Sequence, residues 1–159
     1  MTAIRPATPA DVATIMRFVR ELAEYERAAD KVVATEALLA DALFGPHPAA
    51  QAVIADIRGA PVGMALFFQN FSTWTGWRGL YLEDLYVTPA ARGAGVGTAL
   101  LVHLAGIAVE RGCTRFEWAV LDWNAPAIAF YRSMGAEPMA EWRTYRVSGD
   151  ALATLAGRG

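Results

Sequence analysis

A chain of 159 residues has the length of one ordinary domain. At that size folding buries roughly 70% of the unfolded surface, so no disulfide or metal staple is needed. Hydrophobic residues make up 55% and charged ones 19%, which excludes an intrinsically disordered chain. Fourteen Lys and Arg against sixteen Asp and Glu give a net charge of -2, and Lys31 is the only lysine, so no basic nucleic-acid footprint is expected. Cys113 is the only cysteine and stands beside just His47 and His103, which leaves no internal disulfide and no Cys/His zinc cluster. The reducing cytoplasm is the expected compartment. Residues 59–77 are too polar for a membrane span, and residues 93–109 fall short of the ~20 positions a span needs. The N-terminus lacks the apolar stretch of a signal peptide, so a soluble protein is expected.

No repeat or linker interrupts residues 1–159, which read as a single domain. Residues 2–5 form a short strand closed by Pro6. Thr8, Pro9 and Asp11 mark a helix start, with Thr8 as the cap and Asp11 in the first turn. Ile15, Val19 and Leu22 then share one stripe of that helix. Thr35 and Glu36 open a second helix that stops at Gly45 and Pro46. Strand character follows at residues 51–57, 61–69 and 79–87, joined by short connections as in an antiparallel meander. The rhythm then changes. A glycine-rich turn at residues 92–97 feeds a helix running to Arg111, residues 114–121 read as a strand, 125–134 as a helix and 141–147 as a last strand. The sum is an α/β fold: a mixed, mostly antiparallel sheet with helices on both faces.

Three groups of residues could carry chemistry. The first is Arg92-Gly93-Ala94-Gly95-Val96-Gly97-Thr98, between a strand and a helix. Glycines let the backbone approach a ligand, and free amides at a helix start attract phosphate. No lysine follows Gly97, so this is not a P-loop, and the glycine spacing does not fit G-x-G-x-x-G. A flexible turn without a ligand explains the glycines equally well. The second group is Glu83-Asp84, two adjacent carboxylates inside the otherwise apolar run of residues 80–87. Side chains alternate along a strand, so one of the two must meet the packed face, and an unpaired buried charge is costly. Either one of the thirteen arginines neutralises it, or the face is an open cleft. The third group is Asn124 and Tyr131. Asn124 is a natural helix cap and Tyr131 could be a core aromatic. Glu26 falls on the stripe of Ile15, Val19 and Leu22, unless the helix has ended before it. Cys113 reads as an inert small residue.

Together these pieces resemble the GNAT family of acetyl-CoA-dependent N-acetyltransferases, and more closely its diamine acetyltransferase subfamily, which contains spermidine/spermine and thialysine acetyltransferases. The resemblance rests on Ile4-Arg5-Pro6-Ala7-Thr8, Glu21-Leu22-Ala23-Glu24-Tyr25-Glu26, Leu80-Tyr81-Leu82-Glu83-Asp84, Arg92-x-x-Gly95-x-Gly97, Asp122-Trp123-Asn124 and Phe130-Tyr131. It implies a GNAT fold whose sheet splays at the cofactor cleft. There the backbone of Leu85, Tyr86 and Val87 would pair with the pantetheine arm of acetyl-CoA. Residues Arg92, Gly93, Ala94, Gly95, Val96, Gly97 and Thr98 would hold the pyrophosphate, and Asn124 would touch the cofactor. Tyr131 would protonate the departing thiolate. Glu26, Trp74, Glu83 and Asp84 would line the amine pocket, with Glu83 taking the amine's proton, directly or through water. The resemblance also implies a homodimer.

That chemistry is self-consistent. A primary amine has a pKa of ~10.4 and must lose a proton before it attacks a thioester, a task a carboxylate can perform. Neither a metal nor a covalent nucleophile is required. Two departures bear on the acceptor. Ser72-Thr73-Trp74 stands where spermidine enzymes carry Asp-Pro-Trp, and Ala140-Glu141 replaces their Glu-Gly before Trp142. Fewer carboxylates suit a long polycation poorly, so a thialysine-like amino acid or a short diamine is the expected acceptor. Two other readings are a catalytically silent acetyl-CoA sensor and a protein-directed acetyltransferase.

Overall fold

The computed structural model describes residues 1–158 and places them in two compact units, Met1–Leu121 and a second that begins at Asp122. In the first, β1 (Thr2–Pro6) leads through a 3-10 turn at Pro9–Asp11 into α1 (Val12–Tyr25). The Asp11 carboxylate accepts from the backbone N–H and the hydroxyl of Thr8, which fixes this entry. Helix α2 (Glu36–Phe44) begins where the Thr35 hydroxyl accepts from the Leu38 N–H. Strands β2 (Gln51–Ile57), β3 (Ala60–Ser72) and β4 (Trp77–Val87) follow, then α3 (Val96–Glu110) and β5 (Phe116–Trp118). The five strands lie in the order β1-β2-β3-β4-β5; the first four are antiparallel and β5 joins β4 in parallel. This is the expected mixed sheet.

Helices cover both faces. Ile15 and Phe18 of α1 and Leu43 of α2 pack on Ile54, Met64, Leu66 and Tyr86 on one face. On the other, Val96 and Leu100 of α3 lie over Gly63, where an added Cβ would stand 2.8 Å from the Tyr86 carbonyl oxygen. Glycine at position 63 therefore lets α3 lie close to the sheet.

One feature of β4 was not foreseen, and another answers the splay that the resemblance implies. Leu66 stands opposite Asp84 and Phe67 opposite Leu82, so Glu83 is one residue too many, a β-bulge. Leu66 and Phe67 point to opposite faces, and the bulge therefore turns Asp84 onto the α1 face, the face of Tyr81 and Tyr86. In addition, β5 pairs only with Leu80–Leu82. The expected strand at 114–121 thus shrinks to three residues, and residues Glu83 to Val87 are laddered on the β3 side alone. The sheet opens where β4 carries its carboxylates.

The second unit holds α4 (Ala125–Ser133) and α5 (Asp150–Ala156). The strand expected at 141–147 is corrected here. Those residues form no strand and are exposed, with Tyr145 91% accessible. Alternation supplies a tendency to extend, but a strand also needs a ladder partner, and none among the described residues pairs with this segment. Helix α5 was not expected at all.

Candidate active site

Helix α1 ends at Tyr25, and Glu26 stands just past it with its N–H on the Leu22 carbonyl. The helix has therefore ended, and Glu26 does not continue the buried stripe. Its carboxyl is nonetheless pushed up by partial desolvation. It comes close enough to act on Asp84, which the bulge turns to the same face. Burial, then the charges of Glu83 and Glu26, push the Asp84 carboxyl up to about 6. Among the described residues, none of these three carboxylates forms a salt bridge. The arginine neutralisation considered above does not occur. Among the described residues no three His, Cys, Asp or Glu side chains form a group that could hold a metal ion.

One acidic residue was missed in the sequence. Glu117, the middle residue of β5, is the register partner of Tyr81. Burial, Glu83 and Glu117 together hold the Tyr81 phenol above its ordinary value, so both carboxylates flank it. The signal was a single Glu between Phe116 and Trp118, whose rings stack edge-on at 5.0 Å. A charge alternating with two aromatics marks the other face of the strand.

The glycine turn has the geometry that an anion requires. Gly93 and Gly95 both adopt φ of +79°, and nothing lies within 4 Å of a Cβ built on either. Gly95 caps α3, and the first helical bond runs from the Ala99 N–H to the Gly95 carbonyl. The amides of Val96, Gly97 and Thr98 therefore precede the ladder and face out of the helix end. Arg92 donates to the Val87 carbonyl at 3.1 Å and lies over the Tyr25 ring. That carbonyl, expected to be open to a pantetheine arm, already has a partner. The side chain of Tyr86 is structural, its hydroxyl donating to Glu21 at 2.5 Å, and its phenol is pushed up to about 12 by burial and this bond. Arg17, Glu21, Tyr25, Tyr86 and Arg92 help to line a hollow of about 560 Å³ between α1 and the end of β4.

Two other expected or related residues of the first unit lie at the far end of β3 and β4. Trp74 sits at the tip of the β3–β4 hairpin and is 80% exposed. Ser72 is buried, and its hydroxyl accepts from the Thr75 N–H at 3.3 Å, so this serine closes the hairpin turn. In the second unit Asn124 is the cap of α4, its Oδ1 accepting from the Ala127 N–H at 3.4 Å. The Tyr131 ring lies 5.5 Å from that of Phe130.

Comparison with known proteins gives this geometry a context. Residues 15–136 match the Acetyltransferase (GNAT) family, across the boundary between the two units. A thialysine N-epsilon-acetyltransferase of Mus musculus is 43% identical over 99% of this chain and 98% of its own length. An L-ornithine N5-acetyltransferase of Arabidopsis thaliana is 32% identical over 96% of this chain and 86% of its own. Among solved structures, an integron cassette protein from the mobile metagenome of V. cholerae superposes with a TM-score of 0.81 at 30% identity, covering 98% of both chains.

Proposed function

The chain belongs to the GNAT acetyltransferase family, and on that premise we propose that it transfers the acetyl group of acetyl-CoA to a primary amine of a small cationic acceptor. The observation that carries the reading is the group of Glu26, Glu83 and Asp84, of which Asp84 is half-buried, Glu26 partly desolvated and Glu83 exposed, and none of which is paired with an arginine. A structural ion cluster would be neutralised from within the chain. This one is completed by a cation from outside.

The residues divide the reaction as follows. The amides of Val96, Gly97 and Thr98, with Gly93, Ala94, Gly95 and Arg92, bind the pyrophosphate of acetyl-CoA, and the open side of Leu85 and Tyr86 receives its pantetheine arm, with Val87 joining once Arg92 leaves its carbonyl for the pyrophosphate. The carboxylates draw in the acceptor's ammonium. Glu83 accepts its proton, and the neutral nitrogen attacks the thioester carbonyl carbon. A C–N bond forms, the C–S bond breaks, Tyr131 gives its proton to the thiolate, and the surplus proton left on the acylated nitrogen returns to the Tyr131 phenolate, directly or through water. Asn124 contacts the cofactor, and Trp74 bounds the acceptor site. The residue roles and the homodimer rest on resemblance to the family, whereas a cytoplasmic setting rests on the single cysteine and one domain over residues 1–159 on the absence of a linker or repeat in the sequence.

Relatives named for thialysine and ornithine favour an amino acid or short diamine with two nitrogens over spermine. Coenzyme A release across small amines, polyamines and peptides tests the reading. Release is expected with thialysine, ornithine and short diamines ahead of spermine. Release with peptides alone would make the enzyme protein-directed, and no release with any acceptor would make it a sensor.

A further inference from the structure

Within the acceptor site just proposed, and resting on that proposal, we infer that Glu117 is a specificity-determining residue. It anchors a second ammonium on the acceptor, and so selects dications over monoamines. The argument starts from register. Tyr81 on β4 stands beside Glu117 on β5, and opposite Phe68 on β3, whose ring lies 5.1 Å from that of Tyr81. Asp84 faces the same side because of the bulge at Glu83. One face therefore carries, along the sheet, the Asp84 carboxylate, the Tyr81 ring and the Glu117 carboxylate, and Glu83 in the bulge comes close enough to act on Tyr81.

Glu117 is held by a neutral group. The Asn70 side-chain amide donates to its Oε1 at 3.4 Å, reaching from β3 across β4 to β5. It can do so because Gly79 is its register partner; a Cβ there would collide with the Asn70 side-chain oxygen. An amide orients a carboxylate without cancelling its charge, and Glu117 forms no salt bridge among the described residues. Strand geometry sets the span. Two residues along β4 and one strand across separate Glu117 from Glu83 by roughly 8 Å between Cα atoms. A short aliphatic diamine bridges that span, with its reactive nitrogen at Glu83 and Asp84 and its far nitrogen at Glu117. The apolar chain between them lies along the Tyr81 ring.

The test compares putrescine with n-butylamine, which matches its chain length and lacks the second nitrogen, at saturating acetyl-CoA. In Glu117→Gln the putrescine KM is expected to rise about tenfold, the effect of one lost ion pair of roughly 1.4 kcal/mol. The kcat, the acetyl-CoA KM and the thermal midpoint should stay near wild type, and the preference for putrescine over butylamine should collapse. Asn70→Ala, which frees Glu117 without removing its charge, should raise the putrescine KM by a smaller factor. An unchanged putrescine KM in Glu117→Gln, or equal losses for both amines, overturns the role of Glu117 while leaving the acetyltransferase reading intact. Wild-type enzyme that releases coenzyme A with no amine overturns both.

Discussion

Two clusters of carboxylates in the first unit are handled in opposite ways. At the start of the chain, Arg5 bonds Asp11 at 2.8 Å and Asp56 at 2.7 Å, and the backbone and hydroxyl of Thr8 also donate to Asp11. These bonds hold the Asp11 carboxyl well below the usual range and raise the guanidinium of Arg5. On β4 and around it, Glu26, Glu83, Asp84 and Glu117 gather with no ion pair of their own, and Asp84 is pushed up to about 6. The first cluster has its cation within the chain, although the second oxygen of Asp56 is buried without a partner, and it ties β1 to β2 and to the entry of α1. The second holds like charges together without a cation of its own, which costs stability, and under the proposed function the acceptor's ammonium offsets that cost.

The largest effect expected lies in the second unit, outside both clusters, and sets the scale against which they are judged. Tyr131→Phe deletes only a hydroxyl. As general acid it should account for ~10² to 10⁴-fold in turnover, with acetyl-CoA binding preserved. A fall of less than about threefold, with chemistry rate-limiting, makes Tyr131 a packing residue; the threshold is set well below the general-acid range.

Arg5→Ala comes next and probes the first cluster. Removing the cation leaves two carboxylates facing each other without it, a loss of about 1–3 kcal/mol, held to that range because Arg5 is 40% exposed on its side chain. Asp11 titrates lower in the folded than in the unfolded protein, so its contribution is present above its ordinary value and vanishes as pH falls through the folded one. The destabilisation of Arg5→Ala should accordingly be full at neutral pH and shrink in acid, while turnover per folded molecule stays as in wild type. Lost turnover with unchanged melting would reverse the roles of the two clusters.

The smallest effect is a displaced pH limb. The acceptor amine ionises near 10, so an acid limb in kcat/KM near pH 6 belongs to the enzyme. Glu26 helps to push Asp84 up, and Glu26→Gln should move that limb to lower pH. A limb that stays in place belongs to a different group.

The sequence makes some of this legible and hides the rest for identifiable reasons. The glycine turn could be read because three glycines between a strand and a helix are a local signal, and Gly93 and Gly95 do adopt left-handed φ. The acidic pair could be read as an anomaly in an apolar strand. Its orientation could not, because the bulge at Glu83 is set by the pairing of Leu66 and Phe67 across the sheet. Glu117 was missed because its relation to Tyr81 is a parallel pairing made across the whole of α3. The segment at 141–147 shows the converse error, since its alternation was local and the partner it needed was not.

The central claim is that the empty carboxylate cluster exists for catalysis, and Asp84→Asn measured for activity and stability together tests it most directly. Asp84 titrates higher when folded, so its charge leaves folding unaffected below its ordinary value and opposes it as pH rises through about 6. At pH 8 the asparagine variant should melt at or above the wild-type temperature, and at pH 4 the two should converge. In the same preparation kcat/KM for thialysine or putrescine should fall about 100-fold, the effect of truncating one partner of a desolvated charge pair with the acceptor's ammonium. A variant that melts well below wild type at pH 8, with activity lost only in proportion to unfolding, would show that Asp84 holds the fold together and would contradict the account.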